Sequence, residues 1–443
     1  MDNKIDIDII GGGPSGLGVA YYAKKYGLTV KIHESSGHIG GNCKTIVDGD
    51  FRYDTGAHRF HDKNQKVTSE IKSLLGTDLL LVTSPSKISY DGKMIDFPLQ
   101  ISNIFFNLPF NIIIKVIFEN IINRIMKSNK PSSFRDLAYQ NYGKTLSKIF
   151  LLSYTEKLWG ESVDKLDPTI AGGRLKMLNL KSLLKSFIYS KNYKPKHLEG
   201  DFYYPRLGFG DIFYRMGKYI DFNNINLNSS ITRINHNGNI IQSIENNKGE
   251  KTDVNSLVCT MPLDQLVRSM HPKPPRDILE VLDNLKYRSI MICVIYLNRK
   301  SFSLNASLYF PDSNCPFTRI YEPKNRSKEM APSNKTCIVV EVPIGKNNIR
   351  SDVGKSVVYA KVLEYLVDKN MIQEDDIIKY KIVSIKYAYP VITKGIKNIL
   401  FKVNSYFDKF ENLKLIGRST SFEYLHTHHI MDRSEKLVNK MVS

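Results

Sequence analysis

The chain has 443 residues, more than a single hydrophobic core usually organises, so two closely connected domains are expected. Its 63 Lys and Arg against 44 Asp and Glu favour an anionic partner, whether a phosphorylated small molecule, a nucleic acid or a membrane surface, although much of the lysine lies in Asn/Lys/Ile-rich stretches that read as solvated surface. Five cysteines scattered singly argue against a disulfide framework or a zinc site and for a reducing compartment. The first residues enter a strand at once, so a cytoplasmic chain without a secretory leader is expected.

In chain order, Ile5, Ile7, Ile9 and Ile10 form a short β-branched strand, with Asp6 and Asp8 expected to alternate outward. Gly11-x-Gly13-Pro14-Ser15-Gly16 follows and opens the helical pattern "LGVAYYAKKYG". The first glycine allows a tight turn, the second lets backbone approach a pyrophosphate, and the third permits close helix-strand contact, with helix N-terminal amides facing the phosphates. Gly27 ends the helix, and "LTVKIHE" supplies a second strand with Glu34 at its tip, in the window for a ribose 2′-hydroxyl. Strand, fingerprint, helix, strand and acid in this order predict a dinucleotide site.

Gly40, Gly41 and Asn42 place a second glycine pair shortly after Glu34. The most apolar region, residues 97–127, is broken by Asn, Pro, Lys and Glu before reaching a spanning length. It reads as a packed helix, with a membrane-facing side as the alternative and peripheral membrane contact left open. Further along stand "FRYDTGAHRFHDKN" (51–64), "SYTEKLWGE" (153–161) with the only tryptophan, "GGRLKML" with Arg174, "YYPRLGFGDIFYRM" (203–216), "FTRIYEPKN", "YAYPV" and "GRSTSFEYLHTHHIMD".

With the double-glycine pattern, this series resembles the FAD-binding flavoproteins that include the amine oxidases, protoporphyrinogen oxidase and UDP-galactopyranose mutase, most of all the mutase branch. The resemblance implies an α/β fold with a discontinuous Rossmann-like FAD-binding domain (1–75, 200–262 and 400–443). It also implies a helix-rich insert (76–199) and a mixed-sheet substrate domain (263–399). "IVSIKYAYP", "NLKLIGR" and "SLVCTMP" read as strands, and a last helix is expected from about Gly417. FAD is expected on Gly11, Gly13, Pro14, Ser15, Gly16, Glu34, Gly40, Gly41, Asn42, His58, Gly417 and Arg418. His58, Arg174, Arg319, Tyr389 and Tyr424 are the candidates for chemistry. Trp159, Arg174, Arg319, Tyr389, Tyr424 and His426 are the candidates for substrate.

Guanidinium forks suit a diphosphate, and aromatic rings suit a base or sugar. Against these roles, Arg174 and Arg319 would pair with acids such as Glu161 or Glu322, and Trp159 would be core. The chain departs from the resemblance twice: "SSG" stands where an arginine often follows the acid, and His426 stands where the mutases usually carry an acid. The histidine clusters His58/His61 and His426/His428/His429 lack an acid or cysteine to complete a ligand set, so no metal is expected. No nucleic-acid module is recognised either. The resemblance implies a nucleotide-sugar ring contraction that needs reduced flavin and has no net redox change. The alternatives are a net oxidase of the protoporphyrinogen or amine oxidase type and a non-enzymatic escort protein of the same fold.

Overall fold

The structure is a computed structural model that describes residues 5–97, 107–125, 130–172, 201–344 and 352–443. Its first layer is a five-stranded parallel sheet built from distant parts of the chain. Strand β1 (Ile7–Ile10) lies at the centre between β2 (Val30–His33) and Leu257–Cys259, with Ile225–Asn226 and Leu413–Leu415 at the edges. Both faces are covered, as parallel sheets require. For that reason Asp8, expected to point outward, is buried, and its carboxylate lies 3.0 Å from Nε2 of the equally buried His33. Helix α1 (Pro14–Lys25) packs on one face; Gly18 lets it approach the C-terminal helix so closely that a Cβ there would stand 2.8 Å from Ser434 Oγ. A four-stranded sheet of residues 231–271 covers the other face.

The second large layer is a seven-stranded mixed sheet. In order it comprises Ile377–Pro390, Tyr287–Leu297, Thr336–Ile344, Arg319–Tyr321, Ser307–Tyr309, Ser86–Tyr90 and Lys93–Phe97. The last two strands come from the region expected to open the helix-rich insert; "KISYDGKMIDF" alternates around an Asp-Gly turn, a hairpin signal that outweighs the helical pattern downstream. The insert then supplies α2 (Phe110–Ile125), α3 (Phe134–Ser147) and α4 (Ser153–Trp159). Among the described residues helix α2 packs on one side only, against α3, so the expectation of an enclosed helix is corrected: Phe110, Phe118 and Ile125 are exposed. The Glu119 carboxylate of α2 accepts from the Thr145 amide (2.7 Å) and hydroxyl (2.8 Å). This junction lies where α3 breaks at Gly143, whose φ is 78°.

The last helix differs from expectation. Residues Arg418–Ser421 make a single turn, Phe422 then takes a left-handed φ of 53°, and α5 (Thr427–Val442) begins only after it. The break places Tyr424 and His426 on a connecting loop instead of a helix face.

Candidate active site

The loop between β1 and α1 explains each glycine separately. Gly11 has φ of 104°, and a Cβ there would stand 2.2 Å from Thr260 Oγ1. One on Gly16 would stand 1.9 Å from the Gly11 carbonyl oxygen. Gly13 is different. Its φ of −80° suits any residue, and a Cβ would meet only Gly41 Cα at 3.9 Å. Gly11 and Gly16 are therefore demanded by the loop's own packing, whereas Gly13 borders open space at the N-terminus of α1. Gly40 N–H donates to the Gly12 carbonyl (2.8 Å), which brings Gly40, Gly41 and Asn42 alongside this loop. Glu34 is buried at the tip of β2; one carboxylate oxygen accepts from the Gly12 amide (2.7 Å) and the other from the Ser36 amide (2.8 Å). The oxygen facing Ser36 also accepts from the Ser35 hydroxyl (3.3 Å), whereas the one facing Gly12 keeps a lone pair for a further hydroxyl. Gly12, absent from the predicted set, thus fixes the acid: a Cβ on it would crowd the Glu34 side chain at 3.1–3.2 Å. Gly417 approaches from the edge strand, its ideal Cβ position 3.2 Å from Ser15 Oγ.

Asn42 carries this loop to the next element. Its carbonyl accepts from Nε2 of His58 (2.8 Å), which sets that ring's tautomer, and its side-chain amide donates to the Tyr387 carbonyl (3.2 Å). Tyr387 sits at φ 52°, so the sheet strand is kinked where it meets the loop. Burial, against the opposing pull of the Asn42 carbonyl, depresses the His58 pKa to about 3, and Arg319, Arg418 and Arg326 all add to the depression. The imidazole is neutral at physiological pH.

Beneath His58 lies a polar network that the sequence did not announce. Arg326 is fully buried, donates to the His58 carbonyl (2.8 Å) and stacks over Tyr321, 4.3 Å from the ring centroid. Asp54, also fully buried, accepts from Tyr204 Oη (2.5 Å), Thr45 Oγ1 (2.6 Å) and the Phe209 amide (3.0 Å). Burial raises its pKa in spite of these donors.

The opposite wall is cationic and aromatic. Arg319 makes a bidentate pair with Glu341, its cross-strand neighbour, at 2.6–2.9 Å; neither Glu322 nor Glu161 is its partner. Glu322 instead accepts from the amides of residues 302 and 303 and from Thr336, and Glu161 faces Lys286. Glu341 also accepts from the Ala57 amide (2.9 Å), tying the sheet to the His58 loop. Burial works against the Arg319 charge, but the Glu341 carboxylate together with Tyr309, Tyr389 and Tyr154 holds the guanidinium pKa well above its usual value. Trp159, Tyr389 and Tyr424 form a ring cluster with centroids 5.7–6.2 Å apart. The Arg418 guanidinium lies over Tyr389 (4.9 Å) and Tyr424 (5.4 Å) and donates to the Ala388 carbonyl. Among the described residues no carboxylate pairs with Arg418.

Trp159 is buried, as the core reading expected, yet it is also part of this cluster. Its helix is aimed by two cations. Arg288 donates to the carbonyls of residues 157 and 158, and Lys157 Nζ donates to those of 310, 312 and 315 at 2.7–3.1 Å. Burial lowers the Lys157 pKa to about 8. His426 stands edge-on to Tyr424 (5.4 Å) and stacks with the buried His428 (5.6 Å). Among the described residues no metal-ligating group is assembled.

The structure therefore brings together Gly11, Gly13, Pro14, Ser15, Gly16, Glu34, Gly40, Gly41, Asn42 and Gly417 on one side. It brings His58, Arg319, Trp159, Tyr389, Arg418, Tyr424 and His426 together on the other. Arg174 lies outside the described residues, as does most of the basic stretch at 190–201. Glu341 carried a legible signal, an acid inside the apolar run "CIVVEVPI", because a buried carboxylate demands a partner.

Residues 14–380 match the flavin containing amine oxidoreductases. The chain belongs to this family. Among curated relatives it is 28% identical over 219 residues to a probable UDP-galactopyranose mutase of Klebsiella pneumoniae, a match spanning 47% of this chain and 52% of that one. It is 25% identical over 369 residues to the UDP-galactopyranose mutase of Mycoplasma pneumoniae, spanning 77% and 80%. It is 27% identical over 218 residues to the dTDP-fucopyranose mutase of Escherichia coli, spanning 47% and 52%. Two of these three matches thus cover about half of the relative's length. Among solved structures, reduced UDP-galactopyranose mutase superposes with a TM-score of 0.87 at 19% identity, covering 99% of this chain and 96% of that one. Putrescine oxidase with bound putrescine superposes with 0.66 at 13%, covering 99% of each. Both likenesses establish the fold: a mixed α/β architecture built around a parallel sheet. This is a family of flavin-containing oxidoreductases, so the chain is that of an enzyme.

Proposed function

We propose that the protein binds FAD and catalyses a pyranose-furanose interconversion of a nucleoside diphosphate sugar. The open cradle beside Gly13 and Gly41, the doubly held Glu34 carboxylate and the approach of Gly417 to Ser15 fit a dinucleotide. Gly11, Gly13, Pro14, Ser15 and Gly16 would hold its pyrophosphate, Glu34 its ribose, and Gly40, Gly41, Asn42, His58 and Arg418 its flavin side. Reduced flavin, when bound, supplies electron density to the anomeric carbon of the sugar.

One observation carries the choice of substrate class: the Arg418 guanidinium lies over Tyr389 and Tyr424 with no carboxylate partner among the described residues, which leaves a positive field beside the Arg319–Glu341 pair. Such a field attracts a diphosphate and repels a protonated amine, which favours a mutase over an amine oxidase. Arg319 and Arg418 neutralise the charge that grows on the diphosphate as the glycosidic C–O bond breaks. Arg319 is held for this by Glu341, so little side-chain entropy is lost when the anion arrives. Trp159, Tyr389 and Tyr424 stack on base or sugar and exclude the water that would hydrolyse the separated sugar. Neutral His58 donates through Nε2 to Asn42 and is no general acid at neutral pH. His426 and Arg174 are assigned to the sugar and diphosphate sides, with a cytoplasmic location.

The reading is tested by supplying UDP-galactopyranose and dTDP-fucopyranose to dithionite-reduced and to oxidised protein and separating the sugars by chromatography. Conversion by the reduced form alone is expected. Anaerobic bleaching of the flavin by a substrate, without isomerisation, would establish a net oxidase instead.

A further inference from the structure

We propose that helix α2 is an interfacial element that seats the protein on an anionic membrane surface. Phe110, Ile114, Ile117, Phe118, Ile121 and Ile125 are all exposed, with Phe110 at 75%, Phe118 at 63% and Ile125 at 78%. At 3.6 residues per turn these positions share one arc of about 100° along roughly 22 Å of helix. The opposite arc, with Ile113, Val116 and Asn120, is buried against the protein. Solitary exposed apolar residues need no explanation, but a continuous stripe of this length does.

The charge around the stripe selects the occupant. Residues 107–148 contain seven Lys and Arg and two Asp and Glu. Both acids are spent internally: Glu119 on Thr145, and Asp136 on Ser132 and Ser133 at the start of α3. Lys115, Lys130, Lys144 and Lys148 are exposed and form no ion pair among the described residues. A second copy docked on the same face would set these lysines against each other without an acid to answer them. An anionic leaflet accepts the apolar stripe and the lysines together. No helix among the described residues is long and apolar enough to cross a membrane, so the contact is peripheral. Helix α2 leans on α3, which runs on through residues 148–152 into α4 and Trp159, so the docked element belongs to the wall of the site.

The test is flotation of the flavin-loaded protein with phosphatidylcholine vesicles with and without phosphatidylglycerol, at low and high salt. Sedimentation velocity of the protein alone is run in parallel. Binding is expected only with phosphatidylglycerol, weakening with salt. The F110S/F118S/I125S variant should lose at least about tenfold in partitioning, and K144E should lose about fivefold or more. Both should keep the native flavin spectrum. Failure to float with any vesicle, or equal flotation with neutral ones, overturns the proposal. So does a concentration-dependent dimer that the triple variant dissolves, because the face would then belong to a second copy.

Discussion

Replacing Gly13 by Ala separates a ligand-driven glycine from a fold-driven one. At φ −80° the backbone tolerates alanine, and the added methyl would touch only Gly41 Cα at 3.9 Å, an ordinary contact. Gly-to-Ala at a compatible position stabilises by about 0.4–1 kcal/mol through the unfolded chain, and alanine at a helix N-cap loses about 0.5–1 kcal/mol relative to glycine. The ligand-free protein should therefore change by no more than roughly 0.5 kcal/mol. With ligand present, the methyl enters the space beside Gly41 that a pyrophosphate needs. Overpacking costs about 1–3 kcal/mol, which corresponds to a rise in Kd of about 5- to 150-fold. Gly16→Ala is the control: its Cβ would lie 1.9 Å from the Gly11 carbonyl oxygen, so the loop itself must move and stability must fall with or without ligand. Thermal melts of both variants without cofactor, beside FAD titrations followed by flavin fluorescence, decide the matter. Native affinity in G13A, or equal destabilisation of both ligand-free variants, would refute the reasoning.

Further expectations follow from the other wall. Glu341→Ala should leave a largely buried guanidinium unpaired at a cost of about 3–5 kcal/mol, lowering the denaturation midpoint, whereas the double replacement R319M/E341M should recover much of the stability but not nucleotide affinity. The depressed pKa values of His58 (about 3) and His428 (about 4) mean that the unfolded chain binds protons the folded one refuses. Stability should then fall as pH drops below about 6.5, and H58N or H428N should flatten the slope seen in thermal melts between neutral and mildly acid pH. Trp159 is the only tryptophan and touches Tyr389 and Tyr424, so UDP or dTDP should change its fluorescence, a response that R319M should weaken.

The glycine loop between β1 and α1 was legible because its demands are local: a tight turn, a helix start and a strand-end acid fall within about thirty residues, as the fingerprint requires. The aromatic and cationic wall was legible in composition but not in pairing. Arg319 meets Glu341 only because two strands align in register, and nearby acids in sequence, such as Glu322, turn elsewhere. Asp8 misled because an Ile-Asp alternation reads as a half-exposed strand, while a central parallel strand is covered on both faces. Arg326, Asp54 and Lys157 were invisible for a related reason: their partners are backbone carbonyls, amides and hydroxyls of remote segments, which no short motif records. The final helix was misplaced because "RSTSFEYLHTHH", after Gly417, contains no glycine or proline to mark the interruption at Phe422.

Reduced protein incubated with UDP-galactopyranose or dTDP-fucopyranose, and assayed for the furanose form, tests the central assignment most directly. The account predicts that furanose accumulates with reduced flavin, not with oxidised flavin, and that R319M suppresses it. A yellow protein that binds neither nucleotide sugar in either redox state would contradict it.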